Sequence, residues 1–79
     1  MTNSEKLYNA FAEALNIDLN KINDNLVYQS IAQWDSISHM VLISQIEEAF
    51  NVSLETDDVI DMSSVGKAKE ILSKYKIIF

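Results

Sequence analysis

The fold is decided by residues 35–51, which read DSISHMVLISQIEEAFN. Leu42, Ile46 and Phe50 recur at every fourth position, a spacing that places side chains on one face of a helix. The Asp-Ser pair at the start supplies two candidate N-caps, and the final Asn tolerates the left-handed conformation that ends a helix. The stretch therefore predicts a helix over residues 36–50 that buries one apolar face.

A second helical pattern precedes this one and is separated from it by a long polar stretch. Residues 4–15 repeat apolar side chains with helical spacing; Thr2 and Glu5 stand at the distance of a capping box, and Ser4 is a competing cap. Residues 16–35 are rich in Asn and Asp, which favour turns over helix. We therefore expect a first helix over residues 4–15, followed by a long loop.

Two shorter patterns follow the helix of residues 36–50. Residues 56–61 predict a short helix with Thr56 as its N-cap, and residues 64–76 predict a last main helix capped by Ser63 or Ser64. The chain contains one glycine and no proline, which argues against an all-β fold because such folds need frequent turns. The predicted fold is all-α: a small bundle of three main helices and one short helix, with a long loop between helices 1 and 2.

Length and composition exclude several classes of protein. A chain of 79 residues can build one small core, so residues 1–79 are expected to form a single domain. The absence of cysteine excludes disulfides, thiolate metal ligands and a thiol nucleophile, and one histidine with scattered carboxylates matches no metal site. No apolar run could span a membrane and no signal-peptide pattern begins the chain, so a cytoplasmic protein is expected.

Negative charge is concentrated in the middle of the chain. The net charge is −6, and the residues between Lys21 and Lys67 contain eight Asp or Glu and no Lys or Arg. Such a surface repels the phosphate backbone of a nucleic acid and attracts a basic protein. We therefore expect no nucleic-acid partner, and we expect protein partners with basic docking patches.

Three stretches together resemble those of a known family. Asp35-Ser36-Ile37 stands at the predicted start of the second helix, residues 46–50 read IEEAF at its end, and residues 62–66 read MSSVG before the last helix. In this arrangement, and over nearly its whole length, the chain resembles an acyl carrier protein.

The resemblance implies a function and a modification site. It implies that Ser36 receives 4′-phosphopantetheine from coenzyme A through a phosphopantetheinyl transferase, and that Asp35 helps this enzyme to recognise the site. The protein would then be a monomeric carrier without catalytic residues. It would hold acyl or aminoacyl groups as thioesters and present them to loading and transfer enzymes. The arm would bring the thiol that a cysteine-free chain lacks.

The start of the second helix is expected to dock these enzymes. At about 100° per residue, Ile37, Met40 and Val41 cannot all face the core that receives Leu42, so some of them must be exposed. Exposed apolar clusters often mark contact sites. With the acids that follow, the predicted partner-binding residues are Ile37, Met40, Val41, Glu47, Glu48, Asp57 and Asp58.

Other interpretations of the same residues stay open. Ser36 and Asp35 could serve only as helix caps, in which case the chain would be an unmodified acidic interaction module without a cofactor. Asp35, Ser36 and His39 are also the residue types of a hydrolase triad, but a triad needs an oxyanion hole and a substrate pocket. We therefore expect His39 to be an ordinary surface histidine.

Some positions depart from the pattern of fatty-acid carriers. Ser38 and Val41 stand where those carriers usually have acids, and Gln33 and Trp34 replace the usual Gly and small residue before the motif. Trp34 is expected either to anchor the loop by partial burial or to add bulk to the docking loop. The departures favour a specialised route, such as a secondary metabolite, a surface polysaccharide or an amino-acid conjugate. The residues expected to shelter an apolar cargo are Leu42, Ile46, Leu54, Val59, Met62, Ala68 and Leu72.

Overall fold

A computed structural model describes all residues 1–79 and contains four α-helices without a β-sheet. The helices are α1 (Asn3–Leu15), α2 (Ser36–Phe50), α3 (Thr56–Asp61) and α4 (Val65–Ser73), and a 3₁₀ turn at Leu19–Lys21 interrupts the first loop. The all-α prediction, with three main helices and a short one, is confirmed.

The local signals at the ends of α1 and α2 are confirmed by the structure. The Thr2 hydroxyl accepts a bond from the Glu5 backbone N–H at 3.1 Å, and the Glu5 carboxylate accepts one from the Thr2 N–H at 3.1 Å. Asp35 is the N-cap of α2. Asn16 and Asn51 end the two helices in the left-handed conformation, with φ of 55° and 54°.

The prediction for the last two helices was partly wrong. Thr56 lies inside α3, and Glu55 occupies the N-cap position without a side-chain bond. The N-cap of α4 is Ser64, whose hydroxyl accepts a bond from the Lys67 N–H at 2.9 Å. Helix α4 ends at Ser73 instead of residue 76, and the chain then forms a turn that brings its side chains toward α3.

One apolar core is shared by α1, α2, α4 and the end of the first loop. Fifteen apolar residues form it, and Trp34 is the largest of those that are completely buried. Trp34 is the only completely buried side chain of the first loop, so the path of residues 22–35 depends on a few anchoring side chains. Ile22 and Trp34 are the two loop residues that belong to the core.

The middle of the first loop is tied to α4 at the only glycine. The Gly66 N–H donates to the Asp24 carbonyl at 3.0 Å, and a Cβ at position 66 would lie 3.1 Å from that oxygen, so any larger residue would require the loop backbone to shift slightly. The Asp24 carboxylate accepts bonds from the Tyr8 hydroxyl at 2.7 Å and from Lys69 at 3.2 Å. The loop is therefore fixed to both α1 and α4.

The carboxylate of Asp58 fastens α3 to the segment that follows α4. Asp58 is buried and accepts hydrogen bonds from Lys74 and from the Tyr75 hydroxyl, and this hydroxyl in turn accepts a bond from the Glu55 N–H at 3.1 Å. The bond from Lys74, followed by that from Tyr75, lowers the pKa of Asp58. Asp58 therefore serves the fold, and its role in partner binding stays a prediction.

The Asp58 contacts predict an acid-dependent loss of stability. Because the pKa of Asp58 is lowered on folding, its stabilising contribution is complete above the unfolded value of about 3.9 and disappears as the pH falls through the lower folded value. We expect Asp58→Asn to melt at a lower temperature than the wild type at pH 7, with the difference shrinking below about pH 4.

Asp57→Asn is the matched control, because Asp57 is the exposed neighbour on the same helix and forms no ion pair. Thermal melts from pH 2 to pH 7 measure both variants. Equal melting temperatures for Asp58→Asn and the wild type at pH 7 would contradict the assignment of this carboxylate to the fold.

Candidate functional site

Ser36 is the first residue of α2 and is exposed at the end of the long loop. Its hydroxyl and its backbone N–H have no hydrogen-bond partner in the protein, because Asp35 occupies the N-cap position. The interpretation of Ser36 as a helix cap is therefore wrong. The structure leaves an unengaged hydroxyl at a position that another protein can reach.

Asp35 caps α2 with one carboxylate oxygen. Its Oδ1 accepts bonds from the backbone N–H groups of Ile37 at 3.1 Å and Ser38 at 2.9 Å. The bond from the Ser38 N–H is the largest cause of a lowered pKa for Asp35, which favours the carboxylate form. Asp35 therefore fixes the backbone on both sides of Ser36 without contacting its hydroxyl.

Ser38 completes the cap from inside the helix. Its hydroxyl accepts a bond from the Asp35 N–H at 2.9 Å and donates one to the Gln33 carbonyl at 2.7 Å. The two serines near the helix start thus differ in their hydrogen bonding: the Ser38 hydroxyl is engaged and that of Ser36 is free. Ser44 lies eight residues further along α2, about 12 Å from Ser36 along the helix axis.

Trp34 anchors the residue pair that precedes the free serine. The indole is completely buried and meets Phe11 and Tyr28 edge to face, with ring centroids 5.2 Å and 5.9 Å away. Its N–H donates to Nδ1 of His39 at 3.0 Å. The prediction that Trp34 adds bulk to the docking loop was therefore wrong, because the ring points into the core.

His39 is a connector inside the fold, which corrects its prediction as a surface histidine. The side chain is half-buried, and its Nε2 lies 2.9 Å from the Val59 carbonyl oxygen while Nδ1 faces the Trp34 indole. Both ring nitrogens are thus engaged, and neither is bonded to Ser36. The Ser-His pair that a hydrolase triad requires is not formed.

An apolar groove of about 310 Å³ opens beside Ser36, between the start of α2 and α3. Of the residues expected to shelter a cargo, Val59 and Met62 line it. The prediction was wrong for Leu42, Ile46, Ala68 and Leu72, which are buried in the closed core. Leu54 is half-buried against that core and does not reach the groove. The full lining consists of Tyr28, Ser36, His39, Met40, Val59, Ile60, Met62 and Ser63.

A larger groove of about 660 Å³ lies between α1 and α2, away from Ser36. It is open and shallow at Ala12 and Ala49, where small side chains leave the two helices incompletely covered. None of the predicted site residues lines it. This groove is therefore not part of the candidate site around Ser36, although it is larger than the groove beside that residue.

Apolar side chains surround the groove on the outer surface of α2 and α3. Ile37, Met40 and Val41 are 77%, 60% and 45% exposed, because α2 turns another face toward the core. Ile60 of α3 is 76% exposed and lines the groove opposite Met40. Sequence reasoning missed Ile60, because a six-residue helix is too short to show an apolar period.

The predicted acidic residues divide into two groups. Glu48 and Asp57 are exposed and form no hydrogen bond or ion pair within the chain. Glu47 accepts a bond from the Leu54 N–H at 2.8 Å and so holds the loop between α2 and α3, and Asp58 is engaged as described above. The docking face therefore offers fewer free acids than the sequence indicates.

No group of three or more side chains of His, Cys, Asp or Glu is arranged to hold a metal ion. No helix has the length and apolarity needed to cross a membrane.

The sequence was compared with protein families, with other proteins and with solved structures. Residues 5–72 match the family model described as the phosphopantetheine attachment site. The chain is 29% identical over 71 residues to a protein of Lactobacillus johnsonii named acyl carrier protein, in an alignment that covers 90% of this chain and 89% of that protein. No solved structure matches the chain.

Proposed function

We propose, because this chain belongs to the phosphopantetheine-binding family of acyl carrier proteins, that Ser36 is the residue to which its 4′-phosphopantetheine arm is attached. The protein is a carrier and not an enzyme. The observation that carries the proposal is the free, exposed hydroxyl of Ser36 at the start of α2, where Asp35 and Ser38 perform the capping.

The residues around Ser36 fit an attached phosphate and a partly apolar arm. The Ser36 N–H is unpaired and lies at the N-terminus of α2, which is the positive end of the helix dipole. Both features stabilise a phosphate at this position. The groove between Met40 and Ile60 offers apolar surface beside the attachment atom. When bound, the arm supplies the terminal thiol on which an acyl group is carried.

Asp35 is proposed as the residue that presents Ser36 to the phosphopantetheinyl transferase. Oδ1 is held by two backbone N–H groups, and Oδ2 has no partner within the chain. The carboxylate therefore fixes the backbone that follows Ser36 through one oxygen and leaves the other available to a basic group of the transferase.

The assignment of Ser36 is tested by comparing two neighbouring serines. Ser36→Ala is expected to keep the stability of the wild type within about 0.5 kcal/mol, because the hydroxyl forms no bond, and to gain no mass with coenzyme A and a broad-specificity transferase. Ser38→Ala is expected to lose about 1 kcal/mol through the broken cap and still to be modified. Intact-mass spectrometry and urea unfolding measure both effects.

The outcome also decides between the two candidate functions. Modification of Ser36→Ala, for instance at Ser38 or Ser44, would contradict the attachment site. A wild-type protein that stays unmodified would favour an acidic interaction module without a cofactor.

The outer surface of α2 and α3 is proposed to dock the transferase and the enzymes that load and transfer acyl or aminoacyl groups. Ile37, Met40 and Val41 offer apolar contact close to Ser36, and any enzyme that reaches Ser36 must approach this surface. Glu48 and Asp57 are the free acids at its edge, and we propose that they attract basic docking patches. The monomeric state and the cytoplasmic location stay predictions.

Electrostatic attraction is tested by reversing one free acid. Glu48→Lys is expected to lower the association rate with the transferase roughly two- to tenfold at low salt, with a smaller effect at high salt because exposed charges are screened. Glu70→Lys changes the net charge equally but lies on α4 and does not line the groove beside Ser36, so it serves as the control. Equal rates for the two variants in stopped-flow measurements would argue against steering by this acid.

We also propose that the carrier serves a specialised route. Val41 replaces an acid that fatty-acid carriers usually present near the modified serine, whereas Ser38 replaces another but is needed for the cap of α2. Trp34 is buried, so its ring cannot obstruct a docking enzyme and gives no support to this proposal. The support for the proposal is the apolar surface at Val41. A basic docking patch that pairs with an acid at this position would find no charge partner there.

The specialised route predicts a weak reaction with ordinary fatty-acid ketosynthases. We expect Val41→Glu to raise elongation of the modified protein several-fold by restoring one exposed ion pair, while Ala49→Glu on another side of α2 has no such effect. The assay compares both variants, the wild type and a standard fatty-acid carrier. A wild type as active as the standard carrier would remove the basis for a specialised route.

A further inference from the structure

The two hydrogen bonds of His39 select one tautomer of its ring. The indole N–H of Trp34 can only donate, so His39 Nδ1, at 3.0 Å, must accept and carries no proton. The ring proton therefore sits on Nε2, which donates to the Val59 carbonyl at 2.9 Å. The geometry selects the tautomer that carries its proton on Nε2.

The Val59 carbonyl is a group that α3 cannot satisfy by itself. Helix α3 has six residues, and the carbonyls of its last turn lack partners within the helix. The Ser63 N–H, four residues after Val59, donates to the Asp61 carbonyl at 2.8 Å instead of continuing the helix. His39 supplies the donor, and its bond is the only hydrogen bond between α2 and α3.

The position of α3 determines the wall that faces Ser36. Val59 and Ile60 line the groove from α3, and Ser36 and Met40 line it from α2. Asp58 holds α3 on another side, through Lys74 and Tyr75, and makes no bond to α2. The bond from His39 is therefore the direct hydrogen-bonded link between the two walls, beside the packing of Val59 against the core.

We propose that His39 is a positioning residue that holds α3 against the start of α2 and so shapes the surface which an enzyme meets when it acts on Ser36. The contact by which His39 holds α3 does not depend on the modification of Ser36. The effect on the modification reaction rests on the proposed function of Ser36. His39 contacts neither reacting atom, and its influence passes through Val59 and Ile60.

Two substitutions separate the hydrogen bonds of His39 from its volume. His39→Phe keeps an aromatic ring against Trp34 but has neither acceptor nor donor, and His39→Gln offers both through its amide. Hydrogen exchange of the backbone amides of α3, including that of Val59, is expected to become about tenfold faster in His39→Phe and to recover in His39→Gln.

Thr2→Ala is the control for a general loss of stability, because it removes the cap of α1 at the far side of the chain. It should accelerate exchange throughout the core without singling out α3. In phosphopantetheinyl transfer from coenzyme A, His39→Phe should raise KM for the carrier several-fold with little change in kcat, and His39→Gln should restore KM.

The outcomes distinguish this proposal from the one on Ser36. Unchanged α3 exchange in a folded His39→Phe overturns the role of His39, whether or not the protein is modified. Faster α3 exchange with an unmodified wild type supports His39 and contradicts Ser36. If His39→Phe does not fold, nitrogen-15 NMR of the wild-type imidazole decides: a slowly exchanging proton on Nε2 supports the proposal, and a proton on Nδ1 overturns it.

Discussion

The burial of the Trp34 indole is the interaction on which the functional part of this structure depends. A long polar loop has little apolar surface of its own, and one large ring packed against Phe11 and Tyr28 fixes its end. The truncation of such a ring to Ala typically costs about 3–5 kcal/mol, a large share of the stability of a small domain. Because Trp34 directly precedes Asp35, its burial also places the start of α2 and the serine that follows.

A buried indole requires an acceptor for its N–H, and this requirement organises the neighbouring elements. His39 provides the acceptor one turn into α2, and its second nitrogen then reaches the otherwise unpaired carbonyl of Val59. A helix as short as α3 is unstable in isolation, so its place is determined by side chains from elsewhere. One hydrophobic contact in the loop thus leads, through two hydrogen bonds, to the wall of the groove beside Ser36.

The sequence predicted those features that arise from neighbouring residues. The capping box of α1 and the bounds of α2 follow from side chains within four positions of each other, and both were predicted. The end of α4 was not, because the chain leaves the helix through tighter turns at Lys74 and Tyr75 and a left-handed Lys76 with φ of 69°, which no glycine or asparagine marks in the sequence. The inward direction of Trp34 and the contact of His39 with Val59 depend equally on how separate segments pack, which no local pattern records.

The choice between Asp35 and Ser36 as the cap of α2 shows how the structure separates stability from function. Either side chain could accept the free N–H groups at the helix start, and local preference does not decide between them. The Ser38 hydroxyl decides, because it accepts the Asp35 N–H and donates to the Gln33 carbonyl, which fixes Asp35 at the cap position.

An acid at position 38 could accept the same N–H but could not donate to Gln33, and it would place a second negative charge beside Asp35. The serine at this position therefore closes the cap, lowers the negative charge around Ser36 and leaves the Ser36 hydroxyl unbonded. The surface near Ser36 is therefore apolar, with Ile37, Met40 and Val41 exposed beside a serine whose hydroxyl stays free.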